Sequence, residues 1–286
     1  RVSPPLDGVP PAGATEREGG LLDIALAPDF AQTRELYFCQ DVRVPGGVLT
    51  RLSRARLSPD AAALEEVAPV LDAAPPQREA RGHYGCRIAF GPDGALYLST
   101  GDRFNTKTRA QRLDDLAGKV LRVSRDGAPF ADNPFAGRAG ARPEVWTLGH
   151  RNPQGLAFNP WTGALWEAEF GPLGGDEVNL IRPGANYGWP VVTHGVADDG
   201  SIISDLRSAP GMEDPIQVWV PGVSPSGIAF YGGDAFPGWR GSLFVAALVE
   251  RSVRRVPMAG GTPGTQEVLF AELGERIRDV RAGPDG

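Results

Sequence analysis

Histidine and cysteine are the scarcest chemical resources of this 286-residue chain, with three of the first and two of the second. So few imidazoles, with no HExxH motif and no His/Cys cluster, argue against catalytic zinc. Cys39 and Cys86 form neither a CxxC motif nor a disulfide framework. Two buried free thiols on separate strands are the expected state, with a bridge left open. The longest strongly apolar run, Leu243 to Val249, is seven residues and is closed by Glu250 and Arg251. It is too short to span a bilayer and reads as a buried strand, so no membrane span is expected. Cations are in the minority, 29 Lys and Arg against 35 Asp and Glu for a formal charge of −6. They are scattered rather than striped, so nucleic acid is not an expected partner. Neither a Walker loop nor a GxGxxG turn entering a helix is present, and GVSPSG misses the nucleophile-elbow spacing, so P-loop, nicotinamide and serine-hydrolase chemistry lose their signatures. The sequence opens at Arg1 without a charged-then-apolar leader, so any signal peptide is expected to have been removed.

What the chain has in quantity is turn chemistry. Its 38 glycines and 27 prolines accompany a hydrophobic fraction of 41%, which suits short strands joined by tight turns rather than disorder. One pattern recurs: an apolar β-rich run, a Pro/Asp/Gly turn and a second apolar run. It stands at Leu21 to Phe38, Cys86 to Thr100, Gly155 to Ala168, Gly227 to Ala247 and Ile277 to Gly286. Its turn prolines include Pro28, Pro92, Pro160 and Pro284, which set a repeat of about sixty residues. Each copy reads as a hairpin. Only Gln111 to Leu121 offers a turn or two of helix. Four-stranded antiparallel sheets of this period close on themselves as propeller blades, so the expectation is one all-β propeller domain over residues 1–286, with a solenoid as runner-up. The sequence stops at the turn where another strand is due, so one blade is expected to be incomplete.

Chemistry-bearing residues gather in the turns. His83 lies in the glycine-rich RGHYGCR just before a strand, where propellers keep functional loops; its plain alternative is a loop histidine making one hydrogen bond. GHRNPQG brings Arg151, Asn152 and Gln154 to the same end of their own blade, where a guanidinium suits a carboxylate or a developing oxyanion, or simply stiffens the loop through an ion pair. EAEFGPLGGDEVN, Glu167 to Asn179, crowds carboxylates and main-chain carbonyls around a Gly-Pro turn, a donor set that suits calcium but that also describes a solvated polar turn. Arg276 and Arg278 stand two apart on a predicted strand, hence on one face, able to meet one polyanion.

Together the segments EGGLLDIALAPDF, GHYGCRIAFGPDGALYLSTGD, GHRNPQGLAFNPWTGALW, GPLGGDEVNLI, NYGWP and RIRDVRAGPDG resemble the soluble glucose and aldose sugar dehydrogenases that depend on pyrroloquinoline quinone (PQQ). The resemblance implies a six-bladed β-propeller of four-stranded antiparallel blades, in a periplasmic or secreted protein that oxidises the anomeric hydroxyl of an aldose to the lactone by hydride transfer to PQQ. An external acceptor then takes the electrons. It also implies site roles: His83 as general base, Arg151 beside the reduced quinone oxygen, Asn152 on the cofactor and Arg276 with Arg278 on its carboxylates. The carbonyls of Gly171 and Pro172 would bind the calcium beneath PQQ, and Glu177 and Tyr187 an additional structural calcium. Two cofactor-touching positions depart from the family pattern, Glu18 for a usual glutamine and Val249 for a usual lysine. Those departures keep a second reading open, a redox-inactive propeller of the same lineage that binds a sugar or a protein. A calcium-dependent lactonase-like hydrolase is a third, on fold analogy alone.

Overall fold

The period-two segments become strands, and the Pro/Asp/Gly punctuation becomes turns, in a computed structural model that describes residues 18–79, 81–283 and 285–286. Pro284, one of the expected turn prolines, lies outside the described residues. The chain divides into two compact units, residues 1–152 and 153–286, and each contains two antiparallel sheets. The all-β expectation is met with sheets of four or five strands.

In the first unit β1 (Leu21–Leu26), β2 (Glu35–Val44), β3 (Gly47–Leu57) and β4 (Leu64–Asp72) pair in chain order, as do β5 (Ile88–Phe90), β6 (Leu96–Thr100), β7 (Lys119–Val123) and β8 (Val145–Leu148). In the β5–β6 hairpin Gly94 takes φ +76°, a left-handed value that a side chain resists, which is why the GPDG turn ends on glycine. Alternate residues of these strands enter one core in which Leu52, Leu96, Leu98 and Leu121 are fully buried. Burying each such side chain stabilises the fold by roughly 1.5–3 kcal/mol. The helical expectation at 111–121 is not met: a 3₁₀ turn at Lys107–Gln111 precedes β7.

The second unit pairs β9 (Pro153–Phe158), β10 (Leu165–Glu169), β11 (Asp176–Ile181) and β12 (Gln217–Trp219) in one sheet. The other runs β13 (Pro225–Phe230), β14 (Ser242–Ala247), β15 (Ser252–Ala259) and β16 (Thr262–Pro263), with β17 (Glu267–Leu269) also on β15. Trp166, Val178, Ile228, Leu243 and Val245 fill the core. The strand expected at Arg276 to Arg278 is not formed: the segment meets β13 and the end of β14 through single bonds, Gly227 N to the Arg278 carbonyl (3.1 Å) and Ile277 N to the Ala247 carbonyl (3.4 Å). The physical reason is local, since Gly274 takes φ +64° just before it and breaks the extended run.

The thiol expectation is corrected. Cys39 on β2 and Cys86 just before β5 form a disulfide, with Cα atoms 6.5 Å apart and both residues buried. The bridge joins two neighbouring sheets, a proximity that the sequence interval does not show. It closes a loop of 47 residues, for which chain entropy alone gives about 4 kcal/mol. Replacing both cysteines by alanine is therefore expected to lower stability by ~2–4 kcal/mol, read as a lower urea midpoint; an unchanged midpoint would show the bridge to be energetically idle.

Candidate functional site

The first unit assembles its polar centre between β4 and β5. His83 takes φ 52°, a left-handed value uncommon for a residue with a side chain, and is 4% exposed. Its N–H donates to Glu18 Oε2 (2.9 Å), and its carbonyl accepts from Arg103 Nη1 (3.0 Å). Gly101 is required beside it, because a Cβ there would lie 2.1 Å from the His83 carbonyl oxygen. The imidazole is oriented by Asp102, fully buried, whose Oδ1 lies 2.6 Å from Nδ1. A carboxylate can only accept, so Nδ1 donates and Nε2 is left with a lone pair. Asp102 is itself fixed: Oδ1 also accepts the N–H of Phe104 (2.8 Å), and its own N–H donates to the Arg151 carbonyl (2.8 Å). The Phe104 ring meets the imidazole edge to face with centroids 4.9 Å apart. Asn152, fully buried, accepts from Gly85 N through Oδ1 (3.3 Å). Glu18, His83, Arg151 and Asn152, expected from widely separated segments, therefore meet in one hydrogen-bonded neighbourhood with Asp102 and Arg103.

The pair has the geometry of a base with an orienting acid. A neutral imidazole whose far nitrogen is pinned by a buried carboxylate can accept a proton at the free nitrogen and be stabilised as imidazolium. His150, by contrast, packs: it is fully buried, with Nε2 2.9 Å from Thr147 Oγ1.

The second unit shapes the Gly-Pro turn between β10 and β11 through one carboxylate. Asp176 accepts the N–H groups of Gly171 (2.9 Å), Val223 (2.7 Å) and Ser224 (2.6 Å), closing the turn over the start of β13. Gly171 could carry no side chain, since a Cβ would sit 2.2 Å from the Gly175 carbonyl oxygen. Main-chain carbonyls are thus the donors this turn can present at Gly171 and Pro172, as a calcium cradle needs. Behind it, Glu167 and Glu169 on β10 face Asn179 and Glu177 on β11 in register. Asn179 Nδ2 donates to Glu167 (3.0 Å), with 3.4 Å contacts to Glu169 and Glu177. Burial, then the charge of Glu169, pushes the Glu167 and Glu177 carboxyls well above the ordinary range. Tyr187 is buried, with its hydroxyl donating to the Leu180 carbonyl (2.6 Å) and accepting the Arg182 N–H (2.9 Å). Burial pushes its hydroxyl pKa up.

Arg276 and Arg278 are exposed, and Arg278 Nη1 reaches Gln154 Oε1 (3.3 Å). Val249 is 61% exposed at the turn after β14. Sequence reasoning missed two residues. Asp102, separated from strand β6 by Gly101 in STGD, reads as an ordinary turn acid, and Arg103 beside it carried no signal.

The sequence profile described as Glucose / Sorbosone dehydrogenase matches residues 1–286. The aldose sugar dehydrogenase of Escherichia coli (strain K12) is 40% identical over 288 residues, covering 100% of this chain and 77% of that protein. A crystal structure of the soluble aldose sugar dehydrogenase from Escherichia coli, in the apo-form, matches with a TM-score of 0.93 at 40% identity, over 99% of this chain and 82% of that one. The PQQ-bound aldose sugar dehydrogenase from Streptomyces coelicolor matches with a TM-score of 0.76 at 33% identity, over 98% and 74%.

Asp176 offers the cleanest test of how the turn is built. Asp176→Ala leaves three N–H groups without their acceptor, that of Val223 buried and those of Gly171 and Ser224 half-buried, and is expected to cost ~2–4 kcal/mol in urea unfolding, whereas Asp176→Asn retains part of the bonding. Equal small losses for both variants would contradict the assigned role.

Proposed function

The chain belongs to the Glucose / Sorbosone dehydrogenase family, and from that premise we propose that it oxidises the anomeric hydroxyl of an aldose to the lactone with PQQ and calcium, as a single six-bladed propeller. The observation that carries the reading is the buried His83–Asp102 pair, with Nδ1 held at 2.6 Å and Nε2 left to accept. A sugar oxidoreductase needs a base for the hydroxyl proton, and this is the imidazole of the chain that is built as one.

Bound PQQ supplies a two-electron acceptor. His83 Nε2 takes the proton of the anomeric hydroxyl, and Asp102 stabilises the imidazolium that results. The Arg151 guanidinium offers permanent positive charge to an oxygen gaining negative charge, and Asn152 helps hold the cofactor. The residues present fit the two groups. The Gly171 turn is a backbone cradle of oxygen donors closed by Asp176, and hard cations take such a set. Arg276 and Arg278 are exposed cations two residues apart, and Arg276 makes no ion pair among the described residues, so both suit the carboxylates of PQQ. Glu177 and the Tyr187 carbonyl would take the additional calcium, in keeping with the crowding of carboxylates behind the turn. A periplasmic or secreted location accords with the Cys39–Cys86 disulfide, since such bonds persist in oxidising compartments. An external carrier would then receive the electrons.

Titrating PQQ into the protein with excess calcium, by calorimetry, tests the reading. Binding is expected to require calcium and to weaken roughly 10- to 100-fold in Arg276→Ala, the loss of a charge-assisted contact. His83→Ala should bind nearly normally, yet reduce dye with aldoses about 10²- to 10⁴-fold more slowly. Absence of PQQ binding would sink the dehydrogenase reading and leave a propeller that recognises a sugar or a protein.

A further inference from the structure

Directly behind the proposed base lies a side chain with no role in the account above. Arg103 is fully buried, the largest such side chain among the described residues, and its backbone takes φ 68°. Its Nη1 donates to two main-chain oxygens, those of His83 (3.0 Å) and Gly101 (2.9 Å). Nε and Nη2 are buried with no hydrogen-bond partner, and no carboxylate pairs with the group among the described residues. Asp102 and Asp115 act on it only through space, and both are bonded elsewhere, to His83 and to Arg109. The guanidinium carbon stands 5.5 Å from the centre of the Tyr84 ring.

Burying a guanidinium without a counter-ion is costly, and burial pulls its pKa down to about 10. What offsets that cost is specific. The two carbonyls it holds flank the base: one is His83's own, the other immediately precedes Asp102. Three residues here sit in the left-handed region, His83 (φ 52°), Arg103 (φ 68°) and Phe104 (φ 64°), conformations that persist only where the surroundings over-determine them. The Arg103 N–H adds a further, longer bond to the His83 carbonyl (3.3 Å), so main chain and side chain of one residue grip the same oxygen.

We propose that Arg103 is a positioning residue that straps the strained His83 backbone to the turn bearing Asp102, so that the imidazole is held with Nδ1 on Asp102 and Nε2 free to accept the substrate proton. The inference rests on the reading of His83 as the base. Arg103 touches neither substrate nor cofactor; it acts through the one carbonyl it shares with the base.

The chain has three histidines, so their ring protons can be resolved by NMR in the protein without cofactor. The Nδ1 proton of His83, in a 2.6 Å bond to Asp102, is identified as the downfield resonance that disappears in His83→Gln. In Arg103→Met it is expected to broaden into solvent exchange, and in Arg103→Lys, which carries an N–H group to the same oxygens, to persist. In the loaded enzyme Arg103→Met is expected to lower kcat about 10- to 100-fold with aldose KM within about twofold, the size of effect a displaced catalytic group produces. In the His83→Gln background the same change should lower kcat no further. Should Arg103→Met fail to fold, Arg103→Gln, neutral and able to bond one carbonyl, is read on the same two scales with the same expected losses. A folded variant of either kind with an unchanged resonance and unchanged kcat overturns the proposal, as does a kcat loss that simply adds to that of His83→Gln. If His83→Gln itself keeps its turnover, the base assignment is what fails, and the resonance comparison still decides whether Arg103 straps the loop.

Discussion

A carboxylate taken out of water is tolerated only where hydrogen bonds replace its hydration, and the first unit is arranged around one such group. Asp102 is fully buried, and its Oδ1 accepts from both the His83 ring and the Phe104 N–H, while its backbone donates to the Arg151 carbonyl. Those contacts tie together three stretches that are far apart in the chain, 81–87, 101–104 and 150–152. The demands run outward from there. Gly101 must lack a side chain for the His83 carbonyl to pass, and His83 must turn left-handed for its ring to reach back. The site is therefore a property of turns locked by a shared acid, while the sheets beneath supply rigidity.

The second unit uses the same device for a different end. Asp176 accepts the N–H groups of the 171 and 223–224 segments. One buried acid holds an imidazole by its ring; the other holds a turn by its backbone. Both stand at strand ends, where sheet order stops and the backbone has unpaired donors to offer.

Legibility in the sequence followed the same division. Alternation and turn prolines announced the hairpins of β5–β6, β9–β10 and β13–β14, because period two is written locally. The glycines around His83 and the GHRNPQG run marked the functional turns for the same reason. Four features were not legible. Cys39 and Cys86 meet only because two sheets pack side by side, and the intervening 47 residues say nothing of it. The segment 276–278 alternates like a strand yet forms only isolated bonds to its neighbour after the left-handed Gly274. Asp102 reads as an ordinary turn acid after STG, and what distinguishes it is complete burial against an imidazole, which no spacing encodes. Arg103 is harder still: an arginine in a polar turn reads as solvated, and here it is sealed.

The departure at position 18 can be weighed with the same physics. A glutamate where the family usually has glutamine would repel an anionic cofactor if its charge were free, but its Oε2 accepts the His83 N–H at 2.9 Å. A glutamine carbonyl could make that bond too, so what the acid adds is charge, and a charged acceptor strengthens the bond roughly twofold over a neutral one. The strengthened bond falls on the left-handed residue that bears the base, on the side opposite to Arg103, so that N–H and carbonyl of His83 are each gripped by a charged side chain. Under the proposed function Glu18 would trade some attraction for the cofactor against a firmer base. The absence of a lysine at the exposed Val249 has no such return, and it would leave Arg276 and Arg278 a larger share of the charge that holds PQQ.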